Sequence, residues 1–535
     1  MKSWVVVVAI GVVIAIAYGG GVGSANQVTY LVEPLRRAHV DLFARDWLAM
    51  DTTHYHGAFV ALATELFRAD DTGAIAFGIA HLVTIVAAIG ALLAILTAIA
   101  ASRRLALLLL VVGWIVLGGS RALGGSYLVA TYFQPSSIAT VAWLVAIAYW
   151  LRERHVAAGV ALAVGGAFHV NFLVLGIGYF AAIEMFAWRI PRARRVLALV
   201  APSLAVLAAM APSIVAAGDA REPALALRIL VEFHAPSHYD ARVAIAQLPP
   251  LLGWLLAAWA CSPSREPALA LLWRVALVGT AACTLIFLAI LVEHAATRLF
   301  VWRIAPFAQL ASQLVVIVAV FSTRTLFDRH RSLGIPIGVG VVVGWSIPQA
   351  QGLYTIALAC TILGAVAYRR SHAGRKRVVW VAGIVVCMLA LVPARHRLVA
   401  PDLFTEALGG RYRDLILWAR TTDRDALFVV PPYVHAFRLL ARRAIVADSR
   451  SPPLYPDELV AWYRRLCALV DVDDAATHQE IEQRYDQLSA AAMIAAARRF
   501  DAQYVVIDKQ RSATRLLGPP VFEDWRVVVY EVAAR

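Results

Sequence analysis

The stretch AIAFGIAHLVTIVAAIGALLAILTAIAA, residues 74–101, carries no acidic, lysine or arginine side chain. It is long enough to cross a bilayer as an α-helix. Apolar runs of this kind recur from Trp4 almost to Val392, and 61% of the 535 residues are hydrophobic. A soluble core uses far fewer apolar residues than this. The sequence therefore predicts a polytopic transmembrane helical bundle that is mainly α.

Basic residues concentrate in short segments between the apolar runs, and such segments are retained on the cytoplasmic side of a membrane. The segments are Arg103–Arg104, RERH (152–155), RIPRARR (189–195), SREP (264–267), RTLFDRHR (324–331) and RRSHAGRKR (369–377). All six fall on one side if residues 156–188 form two short helices broken near FHVN (168–171). The predicted topology then has about thirteen helices, a cytoplasmic N-terminus and a C-terminal domain outside. The net charge of +14 mostly reflects these segments and an arginine-rich tail, so no nucleic-acid partner is expected.

The pattern changes near the end of the chain, which predicts two domains. Residues 1–394 form the transmembrane domain, with an external loop at 25–73, and residues 395–535 form a soluble α/β domain on the outer face. In the tail, strands are predicted at ALFVV (426–430), AIVAD (444–448) and AQYVVIDK (502–509), and helices at 456–470 and 486–500. AFRLLARRA (436–444) is unusually basic for an exterior helix. We therefore expect it to face acidic loop or lipid groups, with the tail covering the outer loops.

The external loop contains HVDLFARDWLAMDTTHYHG, residues 39–57, which is dense in titratable side chains. Asp41 and Asp51 each precede a predicted helix, so N-capping is their favoured role. Asp46 falls inside a predicted short helix without an evident structural task, which makes it the candidate functional carboxylate; a solvated loop face is the alternative. No two of these aspartates share a helix face, and an HxH pair lacks a confirmed third ligand. No metal site is therefore predicted.

Other polar residues of the outer segments are candidates for substrate contact. Arg298 and Arg303 enter the apolar run ATRLFVWRIAPF (296–307). An arginine in such a run costs free energy unless it faces a polar cavity, so both are candidates to contact substrate. Snorkelling to the membrane interface is the alternative. Arg121, flanked by glycines, is a third candidate. The remaining candidates are His169 and Asn171 at the helix break, which could instead bridge within the bundle, and His234, His238 and Tyr239 in FHAPSHYD (233–240).

The chain resembles the GT-C class of membrane glycosyltransferases in the order of its parts. A first helix is followed by a large external loop with DLFARDW (41–47), then by further helices and a C-terminal soluble domain. The chain is also similar to uncharacterised bacterial membrane proteins with an outer-loop DW and a tail run seen here as Pro431, Pro432, Phe437, Arg438 and Arg442. The GT-C resemblance implies a catalytic aspartate in the first loop: Asp46, with Asp41 second and Trp47 beside the substrate. It implies a donor phosphate held by Arg303, Arg298 and Arg121. Loop one has no DxD or DE pair, so a divalent metal is not supported and no cofactor is expected.

The resemblance implies sugar transfer from a polyprenyl-phosphate-linked donor at the outer face of a bacterial inner membrane. The expected partners are membrane lipid, that donor, and a glycan, lipid or protein acceptor. A transporter or flippase is the alternative function. Transporters often carry two halves with matching broken helices. Here a single broken pair is predicted and the charges cluster at one face, which favours the enzyme.

Overall fold

The computed structural model describes residues 3–18, 22–23, 26–53, 56–99, 104–114, 122–123, 128, 130, 132–187, 193–216, 221–234, 248–261, 267–292, 300–322 and 410–532. These residues form a helical bundle followed by an α/β domain. The predicted domain boundary at 394/395 and the basic segments at 324–331 and 369–377 lie outside the described residues.

The bundle contains helices of very different length. In chain order they are α1 (Ser3–Tyr18), α2 (Gln27–Tyr30), α3 (Val32–Ala38), α4 (Trp47–Asp51), α5 (Gly57–Ala69), α6 (Ala74–Ile99), α7 (Arg104–Trp114), α8 (Pro135–Trp150), α9 (His155–Phe168), α10 (Val170–Ala187), α11 (Ala193–Ala216), α12 (Pro223–Arg228), α13 (Leu248–Cys261), α14 (Pro267–Val292) and α15 (Ala305–Ser322). A π-helical turn, Ile229–His234, continues α12, and a 3-10 turn, Val301–Ile304, precedes α15.

Four stretches of the described helices are long and apolar enough to cross a membrane, namely Ala74–Ile99, Ala193–Pro212, Pro267–Ile290 and Val301–Val320. Shorter apolar helices, among them α8, α9, α10 and α13, pack with them around a common core that buries Trp143, Trp254 and Trp302. The chain is therefore a multi-pass membrane protein. The predicted total of about thirteen spans includes segments outside the described residues.

The predicted break near residues 168–171 is confirmed. Helix α9 ends at Phe168, His169 is extended, and α10 begins at Val170. At the opposite end of the pair, the Trp150 indole donates a 2.7 Å hydrogen bond to Oε2 of Glu184, and His155 Nε2 lies 3.4 Å from the same oxygen. The start of α9 therefore lies beside the end of α10, and the two helices form a hairpin.

Residues 26–53 and 56–69 fold over one end of the bundle, and we call this end the loop face. Leu35, Phe43 and Phe59 of this segment share a core with Phe133, which lies just before α8. The predicted helix starts in this loop are wrong. Asp46 is the N-cap of α4 and accepts a 3.1 Å hydrogen bond from the Ala49 amide, whereas α5 begins only after His56. Asp41 lies in a turn and Asp51 ends α4, so neither caps a helix.

The tail is an α/β domain, as the sequence predicts. Its elements are α16 (Arg413–Ala419), β1 (Leu427–Val429), β2 (Ala444–Ile445), α17 (Pro456–Leu469), α18 (His478–Gln487), α19 (Ala490–Arg499), β3 (Tyr504–Asp508), β4 (Phe522–Glu523) and β5 (Val527–Glu531). The sheet has the order β2-β1-β3-β5-β4, in which β1, β2 and β3 are parallel and β4 and β5 are antiparallel to their neighbours. The three predicted strands and two predicted helices are present, whereas the sequence did not predict β4, β5, α16 and α18.

Candidate functional site

Three polar side chains from separate parts of the chain meet at the loop face. His56 precedes α5, His169 interrupts the α9–α10 hairpin, and Arg303 lies in the 3-10 turn before α15. The two imidazole rings have centroids 4.6 Å apart, and the His169 ring contacts Phe172 at 5.1 Å. The Arg303 guanidinium lies 5.6 Å from the centre of the same Phe172 ring. A break, a loop and a turn therefore bring these groups into one cluster.

Burial and charge keep His56 neutral. Burial, the larger cause, and the nearby positive charge of Arg303 together lower the pKa of His56 to about 3. His169 is 7% exposed, and both of its ring nitrogens are buried without a hydrogen-bond partner among the residues that the structure describes. A buried polar atom left in that state costs free energy, of the order of 1–3 kcal/mol. The cluster thus holds hydrogen-bonding capacity that a bound ligand can satisfy.

The Arg303 side chain lacks a counter-charge in the part of the chain that the structure describes. Its guanidinium contacts the faces of Phe172 and Phe300, and its Nε atom is buried without a hydrogen-bond partner in the described ranges. Phe300 itself has a φ of 41°, a left-handed conformation that is uncommon for a bulky residue. A guanidinium flanked by aromatic rings and free of carboxylates is suited to bind an anionic group such as phosphate.

Apart from the two aspartates, the predicted site residues divide into three groups. His169, Asn171 and Arg303 lie at or next to the cluster. Trp47 packs instead between the loop and the tail, under the guanidinium of Arg465, and His234 lies near Trp462 and His478 of the tail. Arg121, Arg298, His238 and Tyr239 lie outside the described residues.

Asp46 is buried in a charged triad that joins the loop to the tail. Arg438 Nε donates to Asp46 Oδ2 and Arg438 Nη1 donates to Asp448 Oδ2, each at 2.7 Å. The Ile445 amide also donates to Asp46 Oδ2, at 3.0 Å. Asp46 and Asp448 are fully buried and Arg438 is 2% exposed. Burial lowers the pKa of Arg438 but the two aspartates raise it more, so the arginine stays charged.

This geometry corrects the expectation that Asp46 has no structural task. Its two oxygens accept three hydrogen bonds, from Ala49, Arg438 and Ile445, and it links two domains. Its role as a catalytic base stays a prediction. Asp41, the second candidate, is half exposed and pairs with Arg424 of the tail.

The basic run at 436–444 faces acidic groups of the loop, as expected. Besides the Arg438–Asp46 pair, Arg442 Nη1 donates to Asp71 Oδ1 at 2.9 Å. Farther along the tail, Arg45 bonds Asp501, and the Thr53 amide donates to Glu458. The tail therefore covers the loop face in this structure.

Sequence reasoning missed the two residues that complete these clusters, His56 and Asp448. His56 was weighed only as a metal ligand within the HxH pair, although a histidine between two apolar stretches could have signalled a buried group. Asp448 ends a predicted strand that follows the basic run at 436–444, and this proximity could have indicated an ion pair. Neither position reveals its cluster. His169 lies more than 100 residues from His56, and Arg438, the partner of Asp448, also binds Asp46 of the first loop.

Comparisons with known proteins bear on the fold. The profile of a family described as a domain of unknown function (DUF6798) matches residues 411–469. No curated protein matches the sequence. The solved structure of ArnT from Cupriavidus metallidurans bound to undecaprenyl phosphate aligns over 100% of this chain and 99% of that one, with a TM-score of 0.52 and 15% identity. The chain has the GT-C fold.

Two further solved structures align with lower scores. The oligosaccharyltransferase of Archaeoglobus fulgidus, tethered with an acceptor peptide, has a TM-score of 0.46 and 10% identity over 95% of this chain and 69% of that one. The arabinofuranosyltransferase AftD from Mycobacteria has a TM-score of 0.45 and 16% identity. That alignment covers 100% of this chain, which spans 42% of AftD.

Proposed function

We propose that this chain transfers a sugar from a polyprenyl-phosphate-linked donor to an acceptor at the outer face of a bacterial inner membrane. The observation that carries the proposal is the Arg303 guanidinium, which has no counter-charge in the described residues and lies beside two buried histidines within a GT-C fold. The whole-length structural match is to a protein holding undecaprenyl phosphate. That supports a lipid phosphate as the group Arg303 binds here.

The reaction forms a bond between the acceptor oxygen and the anomeric carbon, while the bond from that carbon to the phosphate oxygen breaks. The electron pair leaves with the polyprenyl phosphate, whose charge Arg303 stabilises. The acceptor proton passes to a base. Asp46 is the base predicted from the loop, but its oxygens are occupied by Arg438 and backbone donors. The neutral imidazoles of His56 and His169 lie in the same cluster as Arg303, so they are the alternative candidates to accept that proton.

Donor binding and proton acceptance are coupled through charge in this arrangement. Burial depresses the pKa of His56 first, and the positive charge of Arg303 adds to that effect. A phosphate bound to Arg303 neutralises its charge, so the second contribution disappears when the donor is bound. The imidazole then becomes a better base only in the complex, where the acceptor is present.

Binding of undecaprenyl phosphate to the purified protein in nanodiscs tests the donor site. Arg303→Gln removes the charge-assisted partner of the phosphate, so we expect its Kd to rise about tenfold or more. Arg464→Gln is the matched control, because Arg464 is an exposed arginine that pairs with Glu222 away from the cluster. Equal affinity in the wild type and Arg303→Gln would contradict the proposed donor site.

Sugar transfer is measured in the same nanodiscs with labelled polyprenyl-phosphate sugars. If an imidazole is the base, we expect the rate of sugar transfer to fall about 10²-fold or more in His169→Ala or in His56→Ala. The flippase alternative is tested in proteoliposomes. If labelled lipid-linked sugar crosses the bilayer and none reaches an acceptor, the chain is a transporter.

The proposed location depends on the orientation of the chain. We expect a reporter enzyme fused after Arg535 to be active outside the cytoplasm and one fused near Arg375 to be active inside, because basic segments stay cytoplasmic. Activity of both fusions on the same side would contradict the proposed topology. If both were active inside, the donor site would have to be reassigned to the cytoplasmic face.

A further inference from the structure

A polar cavity lies between the first loop and the tail, away from the cluster at His56. Its volume is about 220 Å³. Four arginines, Arg420, Arg424, Arg442 and Arg443, line it together with His39 and Asp41. Four guanidinium groups around one small cavity form an arrangement that needs negative charge nearby.

The protein supplies only part of that charge. Arg424 pairs with Asp41, and Arg442 pairs with Asp71. Arg420 and Arg443 hydrogen-bond only to neutral oxygens in the described part of the chain. Arg420 Nε donates to the Leu440 carbonyl at 2.8 Å, and Arg443 donates to the Thr422 hydroxyl and to backbone carbonyls. Two positive charges at the cavity therefore lack a paired carboxylate.

The backbone holds these charges together against their repulsion. Burial lowers the pKa of Arg420, and the charge of Arg442 lowers it further. Burial likewise lowers the pKa of Arg443, with Arg424 and Arg420 contributing and Asp423 opposing them. Arg442 adopts a φ of 56°, in the left-handed region that costs a non-glycine residue free energy. A bound anion would relieve the repulsion that this arrangement maintains.

The position of the cavity indicates where its ligand comes from. Asp71, which bonds Arg442, lies three residues before α6 begins at Ala74, and α6 is long enough to cross a membrane. The cavity thus lies close to the membrane boundary. His56 is at the far end of α5, whose 13 residues span about 20 Å. The cavity is therefore separate from the proposed donor site.

We propose that this cavity binds a phosphate group, carried either by an anionic phospholipid at the membrane boundary or by a phosphorylated soluble ligand. Arginine is suited to this task, because its planar fork matches phosphate oxygens in a bidentate geometry. The cavity is smaller than the roughly 300–1,000 Å³ of ordinary small-molecule pockets. It has room for a phosphate headgroup. The proposal does not depend on sugar transfer.

Two probes distinguish the sources, both applied to the full-length protein. The first is inorganic phosphate added to protein in detergent at constant ionic strength, with binding followed by thermal unfolding. The second is phosphatidylglycerol in nanodiscs, compared with phosphatidylcholine alone. Arg420→Gln removes one unpaired charge, and we expect the Kd of the bound probe to rise about tenfold or more. Arg420→Lys retains the charge and should recover part of the affinity.

A second variant and a control keep the test decisive. Arg424→Gln changes an exposed arginine and should also weaken binding. This variant tests the proposal if Arg420→Gln fails to fold. Arg464→Gln, far from the cavity, should leave it unchanged. Binding of phosphatidylglycerol alone assigns the cavity to a lipid headgroup, and binding of inorganic phosphate in detergent assigns it to a soluble phosphate. If neither probe distinguishes the wild type from the Arg420 and Arg424 variants, the proposal is wrong.

Discussion

Asp46 shows how far single residues in this chain can be assigned from sequence. The residue types of the loop indicate a functional region. Three aspartates, however, precede or lie within predicted helices, and the pattern does not show which of them is a helix N-cap. The structure gives the cap to Asp46 and leaves Asp41 at the surface. The deciding factor is Arg438, which lies 392 positions away and draws Asp46 into the interior. Local propensity carries no information about such a partner.

Asp46→Asn should destabilise the junction between the loop and the tail. The substitution leaves a buried arginine with one carboxylate in place of two, and breaking a buried ion pair costs about 3–5 kcal/mol. Asp41→Asn removes an exposed pair and should cost at most about 1 kcal/mol. Denaturant unfolding in detergent, followed by the fluorescence of tail tryptophans, measures both.

Sugar transfer per folded protein separates structure from catalysis in the same variants. If Asp46 is the base, transfer should fall about 10²-fold or more beyond the loss of folded protein. Transfer that merely tracks the folded fraction would assign Asp46 to the junction alone. Stability of Asp46→Asn equal to that of Asp41→Asn would contradict the buried triad.

At the scale of elements, the α9–α10 hairpin follows from the basic segments at both ends of residues 156–188. Its packing does not. Helix α9 lies against α11 at Gly159, where an added Cβ would come within 2.5 Å of the Leu199 carbonyl oxygen. A glycine in an apolar run has many possible causes, and only the neighbouring helix shows that this one permits close approach. The sequence thus predicted the two helices but not the surface by which they pack.

Gly159→Ala should push α9 away from α11 and destabilise the bundle by about 1–3 kcal/mol. The added methyl group would meet the backbone of α11, which cannot move aside as the end of a flexible side chain can. Gly178→Ala in α10 is the matched control, since an added Cβ there meets nothing within 4 Å. The same methyl group should be neutral or slightly stabilising at that position. Thermal unfolding of the two variants in one detergent compares them, and equal midpoints would contradict the close α9–α11 contact.

At the scale of the whole molecule, composition predicts the membrane bundle and periodicity predicts the α/β tail. The junction between them could not be predicted, because it is built from pairs such as Arg438 with Asp46 and Arg228 with Asp474 that are distant in sequence. The unusual basicity of residues 436–444 predicts that the surface facing them is acidic. It does not predict which residues form that surface. How α12 joins the tail had no sequence signal at all.

The π-helical turn after α12 contributes the apolar part of that junction. Phe233 is 4% exposed, stacks on His478 at 4.3 Å and contacts the ring of Tyr463 at 4.9 Å. Ala226 and Ile229 belong to the same core as the tail residues around them. Exposed ion pairs surround this core, including Arg464 with Glu222. Apolar burial together with the buried Arg438 triad should therefore hold the tail more firmly than the exposed pairs do.

Phe233→Ala should loosen the tail, because truncating a buried aromatic ring costs about 3–5 kcal/mol. Raising NaCl to about 1 M should leave the wild-type tail docked, since exposed pairs are screened by salt yet contribute little. Hydrogen exchange of residues 410–532 in the full-length protein measures both effects, with Arg464→Gln as the control that removes an exposed pair only. Slow exchange in Arg464→Gln and in high salt, with faster exchange in Phe233→Ala, is the expected result. A tail that exchanges freely in high salt would show that exposed charges hold the two parts together. A tail that Phe233→Ala leaves unchanged would show that the apolar junction does not hold them.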